Sequence, residues 1–291
     1  MLILLADAFQ ADLPKRLEAF GQVSTDAARV GEAEIVIVRS KTKVDKAMMD
    51  KAPRLKFVIR GGVGVDTIDV PYAESKGIVV VNTPEASSVA VAELAFAMMA
   101  AMPANLVAAD VSMKQGQWLK KDLERTELLG KTLGLVGIGR IARELAIRAK
   151  AFGMHVVAYD KYVEKSDAAE MMSLEQVYAK ADYLSIHTPL TDETRGMINA
   201  ASIARMKKGV RVINTCRGQV VVEADVAAAL ASGQFAGYAT DVYTKEPPEG
   251  SPLLTAPNAL LTPHIGASTA ENLARLGDCI VDRVKAYVAK K

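Results

Sequence analysis

The sequence predicts an α/β protein built on buried parallel sheets and divided into two domains. Three observations carry this. Short runs rich in Val, Ile and Leu alternate with helical patterns along nearly the whole chain, as strand–helix–strand units with right-handed crossovers do. The runs are continuously apolar, which suits strands covered on both faces. They also fall into two groups, four before residue 85 and six after residue 130, and 291 residues at about 150 per domain fit two domains.

Composition narrows the function classes. Half of the residues are hydrophobic and 24% are charged, an ordinary globular balance. A chain of this length buries roughly three quarters of its unfolded surface, so its core needs neither disulfide nor metal. The 36 basic and 34 acidic residues leave a net charge of +2, which argues against a nucleic-acid partner held by a basic surface. The only cysteines, Cys216 and Cys279, have no CxxC spacing. That excludes a zinc ribbon and a disulfide scaffold and fits a reducing, cytoplasmic setting.

The elements follow in order. The first group of strands is predicted over 2–6, 34–40, 55–60 and 77–82. The apolar start is interrupted by Asp7 and has no basic flank, so no targeting segment is expected. Residues 89–109 are the most membrane-like stretch, but they carry Glu93, Pro103 and Asn105. A charge is costly in lipid, so a buried helix pair broken near Pro103 is expected, and no membrane partner. A polar stretch over 114–125 leads into the second group of strands, at 132–137, 155–160, 182–187, 210–215, 236–241 and 258–263. Helices are predicted between them at 141–152, 173–180 and 223–232. In the last stretch, 270–291, Leu273, Leu276, Ile280 and Val284 recur at helical spacing and can pack on either domain.

The strongest local signal is Gly137-Ile138-Gly139-Arg140-Ile141-Ala142, set between a predicted strand and a predicted helix. Asp160 ends the next strand, 21 residues after Gly139. Strand, G-x-G-x-x-A, helix, strand and terminal acid in register form a dinucleotide-binding fingerprint. Gly137 makes the tight turn, Gly139 admits a pyrophosphate, and Ala142 permits close helix–strand packing. The helix N-terminus offers free N–H groups. A carboxylate at Asp160 suits the ribose hydroxyls and repels a 2′-phosphate, so NAD is expected, with Lys161 softening that preference slightly.

Three histidines occur. His155 opens a strand, at the end of the sheet away from the expected ligand crevice, and is read as structural. His187 ends a strand and can line a cofactor cleft. His264 lies in Thr262-Pro263-His264-Ile265-Gly266-Ala267, at the carboxyl end of a strand, where open α/β sheets bind ligands. Arg217 and Glu246 follow two other strand ends. Guanidinium, carboxylate and imidazole are what reversible oxidation of a 2-hydroxy acid requires: a bidentate anchor, an orienting acid and a proton carrier. Singly, each could equally be a surface Arg, a loop Glu or a capped His.

Taken together these residues resemble the D-isomer-specific 2-hydroxyacid dehydrogenase family along essentially the whole chain. Val63-Gly64-Val65-Asp66, Asn82-Thr83-Pro84, Leu133 to Ala142, His187-Thr188-Pro189-Leu190, Cys216-Arg217-Gly218, Asp241-Val242-Tyr243 through Glu246-Pro247-Pro248, and Pro263 to Thr269 carry the likeness. The resemblance implies Arg217, Glu246 and His264 as the catalytic set. It implies cofactor contacts from Val63, Gly137, Gly139, Arg140, Ile141, Asp160, His187, Thr188, Pro189, Thr215, Cys216, Asp241, His264, Gly266 and Ala267, with the Asp241 carboxylate meeting the nicotinamide carboxamide.

It implies two Rossmann-like domains. One is a doubly wound parallel-sheet NAD-binding domain over 91–267. The other is a flavodoxin-like substrate domain built from both chain ends, 1–90 and 268–291. It further implies a homodimer through the nucleotide-binding domains and closure on binding a small 2-hydroxy or 2-oxo acid. Arg39 and Arg60 match positions that members acting on D-3-phosphoglycerate use for the phosphate. With Gly62, Val63, Gly64 and Arg217 they form the expected substrate set, and no metal is expected. Val63 and the segment Gln219-Val220-Val221-Val222-Glu223 depart from the usual pattern. The chain stops just after its closing helix, so no appended regulatory domain, and no serine feedback through one, is expected. Reduction of hydroxypyruvate or glyoxylate is the alternative activity. Some relatives act instead as NADH-responsive corepressors, and they can retain the same trio.

Overall fold

The computed structural model describes residues 1–290. The chain divides into two compact units, Met1–Ser88 with Ala267–Lys291, and Val89–Gly266. In the first unit β1 (Leu2–Leu5), α1 (Leu13–Leu17), β2 (Gln22–Ser24), β3 (Ile35–Val38), α2 (Lys46–Asp50), β4 (Phe57–Arg60), α3 (Val70–Ser75) and β5 (Val79–Asn82) follow in sequence. The strands form one parallel sheet in the order β2-β1-β3-β4-β5, the flavodoxin-like winding.

Every residue of β1 and β3 is buried. Leu2, Leu4, Val36 and Val38 enter the core on one face, and Ile3, Leu5, Ile35 and Ile37 enter the core on the other. Alternate side chains thus feed two cores, which is why these runs read as continuously apolar. The chain's last helix, Ala270–Val288, packs on this unit. Its Leu276, Ile280 and Val284 are fully or nearly fully buried at i, i+4 and i+8. Each such burial contributes about 1.5–3 kcal/mol, so Ile280→Asp would undock the helix. Of the two packings open to that stretch, this is the one adopted.

The second unit opens at Val89, the second residue of α4 (Ser88–Ala101), and α5 (Leu106–Lys114) follows. It continues through β6 (Thr132–Val136), α6 (Arg140–Ala151), β7 (His155–Tyr159), β8 (Glu170–Met171), α7 (Leu174–Lys180), β9 (Tyr183–Ile186), α8 (Ala200–Ile203), β10 (Val210–Asn214), α9 (Glu223–Ala231), β11 (Phe235–Thr240) and β12 (Ala259–Leu261). Its seven-stranded parallel sheet has the order β12-β11-β10-β9-β6-β7-β8. The winding reverses between β6 and β9. Gly134 in β6 lets α7 lie directly on the sheet, since a Cβ there would stand 2.8 Å from Val177 Cγ1 and 2.9 Å from the Ala181 methyl.

The pair α4–α5 breaks as expected, bending by 67°, with Pro103 and a left-handed Asn105 at the corner. The expectation that both helices are buried holds only for α4, whose Ala92, Ala95, Met98 and Met99 join the core. In α5 only Ser112 is buried, while Leu106, Val107, Val111 and Met113 are exposed. Among the described residues no single helix is long and apolar enough to cross a membrane.

Candidate active site

The dinucleotide fingerprint folds at the switch between β6 and β9. Gly137 has φ +94°, and a Cβ there would stand 2.6 Å from the His187 carbonyl oxygen. Only glycine lets the two loops touch at this point. Gly139 caps α6 without a side-chain hydrogen bond, and a Cβ on it would meet nothing within 4 Å. The N–H groups of Arg140 and Ile141 therefore open this twelve-residue helix toward free space, as a pyrophosphate requires. Ala142 is fully buried.

Asp160 accepts the Ile138 N–H at 3.0 Å and the Tyr162 N–H at 2.9 Å. That leaves about half of the carboxylate's acceptor capacity for ribose hydroxyls. Lys161 is held by both oxygens of Glu193 at 2.6 Å, so its charge is engaged beside Asp160. Thr215, just after β10, has a buried hydroxyl without a hydrogen-bond partner. The open helix end, the acid and this orphaned hydroxyl fit a dinucleotide.

His187 is partly buried, and its Nε2 lies 2.8 Å from Ser185 Oγ. Burial lowers its pKa to about 4, so the imidazole is neutral near pH 7 and lines the site without carrying protons. Thr188 and Pro189 follow in the same loop, where the Pro189 carbonyl accepts the Thr194 hydroxyl at 2.6 Å. Burial pushes the Cys216 thiol up to about 11 and keeps it un-ionised. His155 is exposed at the start of β7, so it has no place in a packed interior.

Arg217, Glu246 and His264 come from the loops after β10, β11 and β12, three neighbouring strands. Two devices join the first two loops. Gly218 lies flat on the β11 loop, because a Cβ there would stand 1.9 Å from the Tyr243 carbonyl carbon and 2.4 Å from Thr244 N. The Gln219 amide then donates to the Thr244 carbonyl at 3.0 Å, and Glu223 accepts the Thr244 N–H at 2.7 Å. The departure noted at Gln219 is thus a cross-loop tie. Buried Asn214 shapes the turn itself, donating to the Arg217 carbonyl at 2.9 Å and accepting the Cys216 N–H at 3.1 Å.

Glu246 Oε2 lies 2.7 Å from His264 Nδ1, and Glu246 Oε1 accepts the Tyr243 N–H at 3.2 Å. The hydrogen bond that His264 donates to Glu246 raises the His264 pKa against the opposing effect of burial, with the charges of Glu246 and Asp241 raising it further and that of Arg217 lowering it. Burial works against the Glu246 charge, but His264, the Tyr243 N–H and Arg217 together hold its carboxyl below the usual range. The Arg217 charge acts on both partners, so guanidinium, carboxylate and imidazole share one field. With Nδ1 committed to Glu246, Nε2 is the nitrogen left for proton exchange.

Asp241 is buried, and its carboxylate accepts Thr262 Oγ1 at 2.6 Å, Ile265 N at 2.8 Å and Gly266 N at 2.7 Å. The expected carboxamide contact gave no hint of this role, since nothing in sequence spacing shows a carboxylate folded back on a loop 21 residues later. Ala267 opens the return to the first unit, and its carbonyl accepts the Asn272 amide at 2.5 Å.

The substrate set, apart from Arg217, lies in the first unit. Arg39 and Arg60 occupy the carboxyl ends of the paired strands β3 and β4. Asp7 holds the Arg39 N–H at 2.5 Å. The Arg60 guanidinium bonds to the Gly61 carbonyl and covers Gly62, where a Cβ would stand 2.2 Å from Arg60 Nη1. Thr83 and Asn82 fix the loop through Gly62 N at 2.9 Å and the exposed Val63's carbonyl at 2.6 Å, with Gly64 next in the chain. No group of residues able to hold a metal ion occurs among the described residues.

Residues 96–266 match the family model described as "D-isomer specific 2-hydroxyacid dehydrogenase, NAD binding domain". The chain is 41% identical to a D-3-phosphoglycerate dehydrogenase of Methanocaldococcus jannaschii across 97% of its own length, and it spans 56% of that protein. It therefore covers only about half the length of the D-3-phosphoglycerate dehydrogenases it matches. It is 44% identical to a hydroxypyruvate reductase of Thermotoga maritima over 88% of its length and 85% of that protein. A D-lactate dehydrogenase of Aquifex aeolicus, solved with NAD and lactic acid, superposes with a TM-score of 0.89 at 31% identity, covering 100% of this chain and 96% of the other.

Proposed function

Because the chain belongs to the D-isomer-specific 2-hydroxyacid dehydrogenase family, we propose that it catalyses the NAD-linked oxidation of D-3-phosphoglycerate to 3-phosphohydroxypyruvate, and the reverse reduction. The observation that carries the reading is the Glu246–His264 pair at 2.7 Å, with Arg217 on the loop after the neighbouring strand β10.

NAD supplies the hydride acceptor, and the chain's own residues do the rest. In oxidation, neutral His264 takes the C2 hydroxyl proton at Nε2. In reduction, the imidazolium returns it, stabilised by the Glu246 carboxylate. Arg217 grips the substrate carboxylate in a bidentate fork and stabilises negative charge on the C2 oxygen. Arg39 and Arg60 take the phosphate, beside the Gly62–Gly64 loop that Thr83 and Asn82 hold in place. Asp160 selects NAD, and the Lys161–Glu193 pair strengthens that choice by keeping the lysine from a 2′-phosphate.

A second reading, reduction of hydroxypyruvate or glyoxylate, is favoured by the 44% identical hydroxypyruvate reductase. We further propose a homodimer of second units, in which the exposed Leu106, Val107, Val111 and Met113 of α5 pack against a second copy. Monomers seldom leave so apolar a helix face bare, and a two-fold axis lets one face serve both chains. The free cysteines Cys216 and Cys279 suit the cytoplasm.

NADH oxidation over a panel containing 3-phosphohydroxypyruvate, hydroxypyruvate, glyoxylate and pyruvate tests the reading. The highest kcat/KM is expected with the phosphorylated acid. Preference for hydroxypyruvate would establish the second reading, and NADH binding without turnover of any acid would point to an NADH-responsive binding protein.

A further inference from the structure

We infer that Asp241 is a positioning residue, whose carboxylate fixes the backbone of the loop that presents the His264 imidazole. The inference rests on the reading of His264 as the acid–base group and adds a second support to it. Glu246 orients the ring, whereas Asp241 acts two bonds deeper, on the main chain.

The geometry is specific. Asp241 follows β11 directly and is 2% exposed. All three of its hydrogen-bond donors belong to residues that bracket His264: Thr262 Oγ1 on one side, Ile265 N and Gly266 N on the other. His264 itself has φ +54°, a left-handed conformation that non-glycine residues avoid unless their surroundings impose it. The frame extends beyond the carboxylate. The Thr262 N–H donates to the Thr240 carbonyl at 3.0 Å, and the Thr262 carbonyl accepts the Tyr243 hydroxyl at 3.0 Å. Gly266 presses so close that a Cβ would stand 3.0 Å from Asp241 Oδ2.

The carboxylate thus commits three of its roughly four acceptor positions to the loop, and these bonds form in the free protein. A buried ionised acceptor bonded to backbone N–H groups is a strong clamp. A carboxylate facing only a bound nicotinamide would not need them.

Asp241→Asn keeps the shape but turns one acceptor oxygen into a donor that faces another donor. In this variant kcat is expected to fall roughly tenfold to hundredfold, since misplacing a reacting group by about 1 Å costs that much. KM for the 2-oxo acid should stay within about twofold, and Kd for NADH, read by fluorescence titration, separates the loss of a cofactor contact from the loss of the loop. Hydrogen exchange at Ile265 and Gly266 in the free protein should accelerate. The pH midpoint assigned to His264 should move down, because of the charges facing it, Glu246, Asp241 and Arg217, one negative charge is lost.

Thr262→Val removes a single bond and should give smaller changes in the same direction, and it supplies the comparison if Asp241→Asn does not fold. Unchanged exchange in both variants overturns the inference. So does a large rise in Kd for NADH with exchange unaltered, which would leave Asp241 a cofactor contact alone. Exchange needs no substrate, so it still decides the matter if the wild-type protein turns over none of the panel acids, a result that would sink the proposed reaction instead.

Discussion

Substituting Gly218 by alanine probes how closely the Arg217 and Glu246 loops must approach. A methyl at 218 would stand 1.9 Å from the Tyr243 carbonyl carbon, against 3.4 Å for ordinary contact, so about 1.5 Å must be made up. The obstacle is main chain on both sides, and no side chain can rotate away. Gln219 and Glu223 bind the two loops together on either flank, so the displacement passes to Arg217 and Glu246. Overpacking of this kind costs about 1–3 kcal/mol, or a melting point lower by roughly 2–12 °C in a domain of this size. Misplacement beyond 1 Å costs about a hundredfold in rate or more. Gly218→Ala should therefore remain folded by circular dichroism, bind NADH, and lose at least about a hundredfold in kcat for the preferred 2-oxo acid. Wild-type turnover in a folded Gly218→Ala protein would refute the claim that loop contact sets the catalytic geometry.

Glu246→Gln removes the main influence that raises the His264 pKa. Oxidation needs the neutral imidazole, so kcat/KM for the hydroxy acid should rise with pH through a midpoint above the ordinary histidine value of about 6.5, and the variant's midpoint should lie at lower pH. The reductive direction should show the opposite slope, and coincident midpoints in wild type and variant would exclude the pairing from the mechanism. Arg39→Ala and Arg60→Ala should each raise KM for 3-phosphoglycerate about tenfold or more, the worth of a charge-assisted bond, while hydroxypyruvate kinetics barely move; equal effects on both substrates would argue against phosphate recognition. Val107→Asp combined with Val111→Asp should convert a dimer into a 31.1 kDa monomer in sedimentation, and a wild-type protein that is already monomeric would remove the proposed interface.

Much of this architecture is legible in the sequence because burial on two faces leaves a plain mark. The strands β1 and β3 are apolar throughout, and β6 and β9 nearly so, since neighbouring residues such as Leu135 and Val136 serve different cores. The edge strands β2 and β8 escaped, because Gln22-Val23-Ser24 and Glu170-Met171 are short, partly exposed and polar. Helix α5 misled for the opposite reason: its Leu and Val residues signal burial, which the single chain does not supply. At the site, strand-end position pointed to Arg217, Glu246 and His264, and the glycine spacing to the turn after β6. The contacts that shape these loops stayed hidden. A left-handed His264, a glycine pressed on Tyr243 and a carboxylate reaching across 21 residues are properties of the folded main chain, and no local pattern announces them.

The reversal of winding between β6 and β9 has a consequence for how such a protein can change. The Gly137 turn and Asp160 come from the β6–β7 side of Gly137's contact with His187, while Arg217, Glu246 and His264, the groups proposed to handle substrate and proton, come from the loops after β10, β11 and β12 on the other. Under the proposed function, nucleotide preference and proton handling lie in separate stretches of chain within one sheet, which β6 and β9 join by direct pairing. Substitutions around Asp160 can therefore shift cofactor choice without touching the loops after β10, β11 and β12, so long as the close approach of Gly137 to the His187 carbonyl is kept.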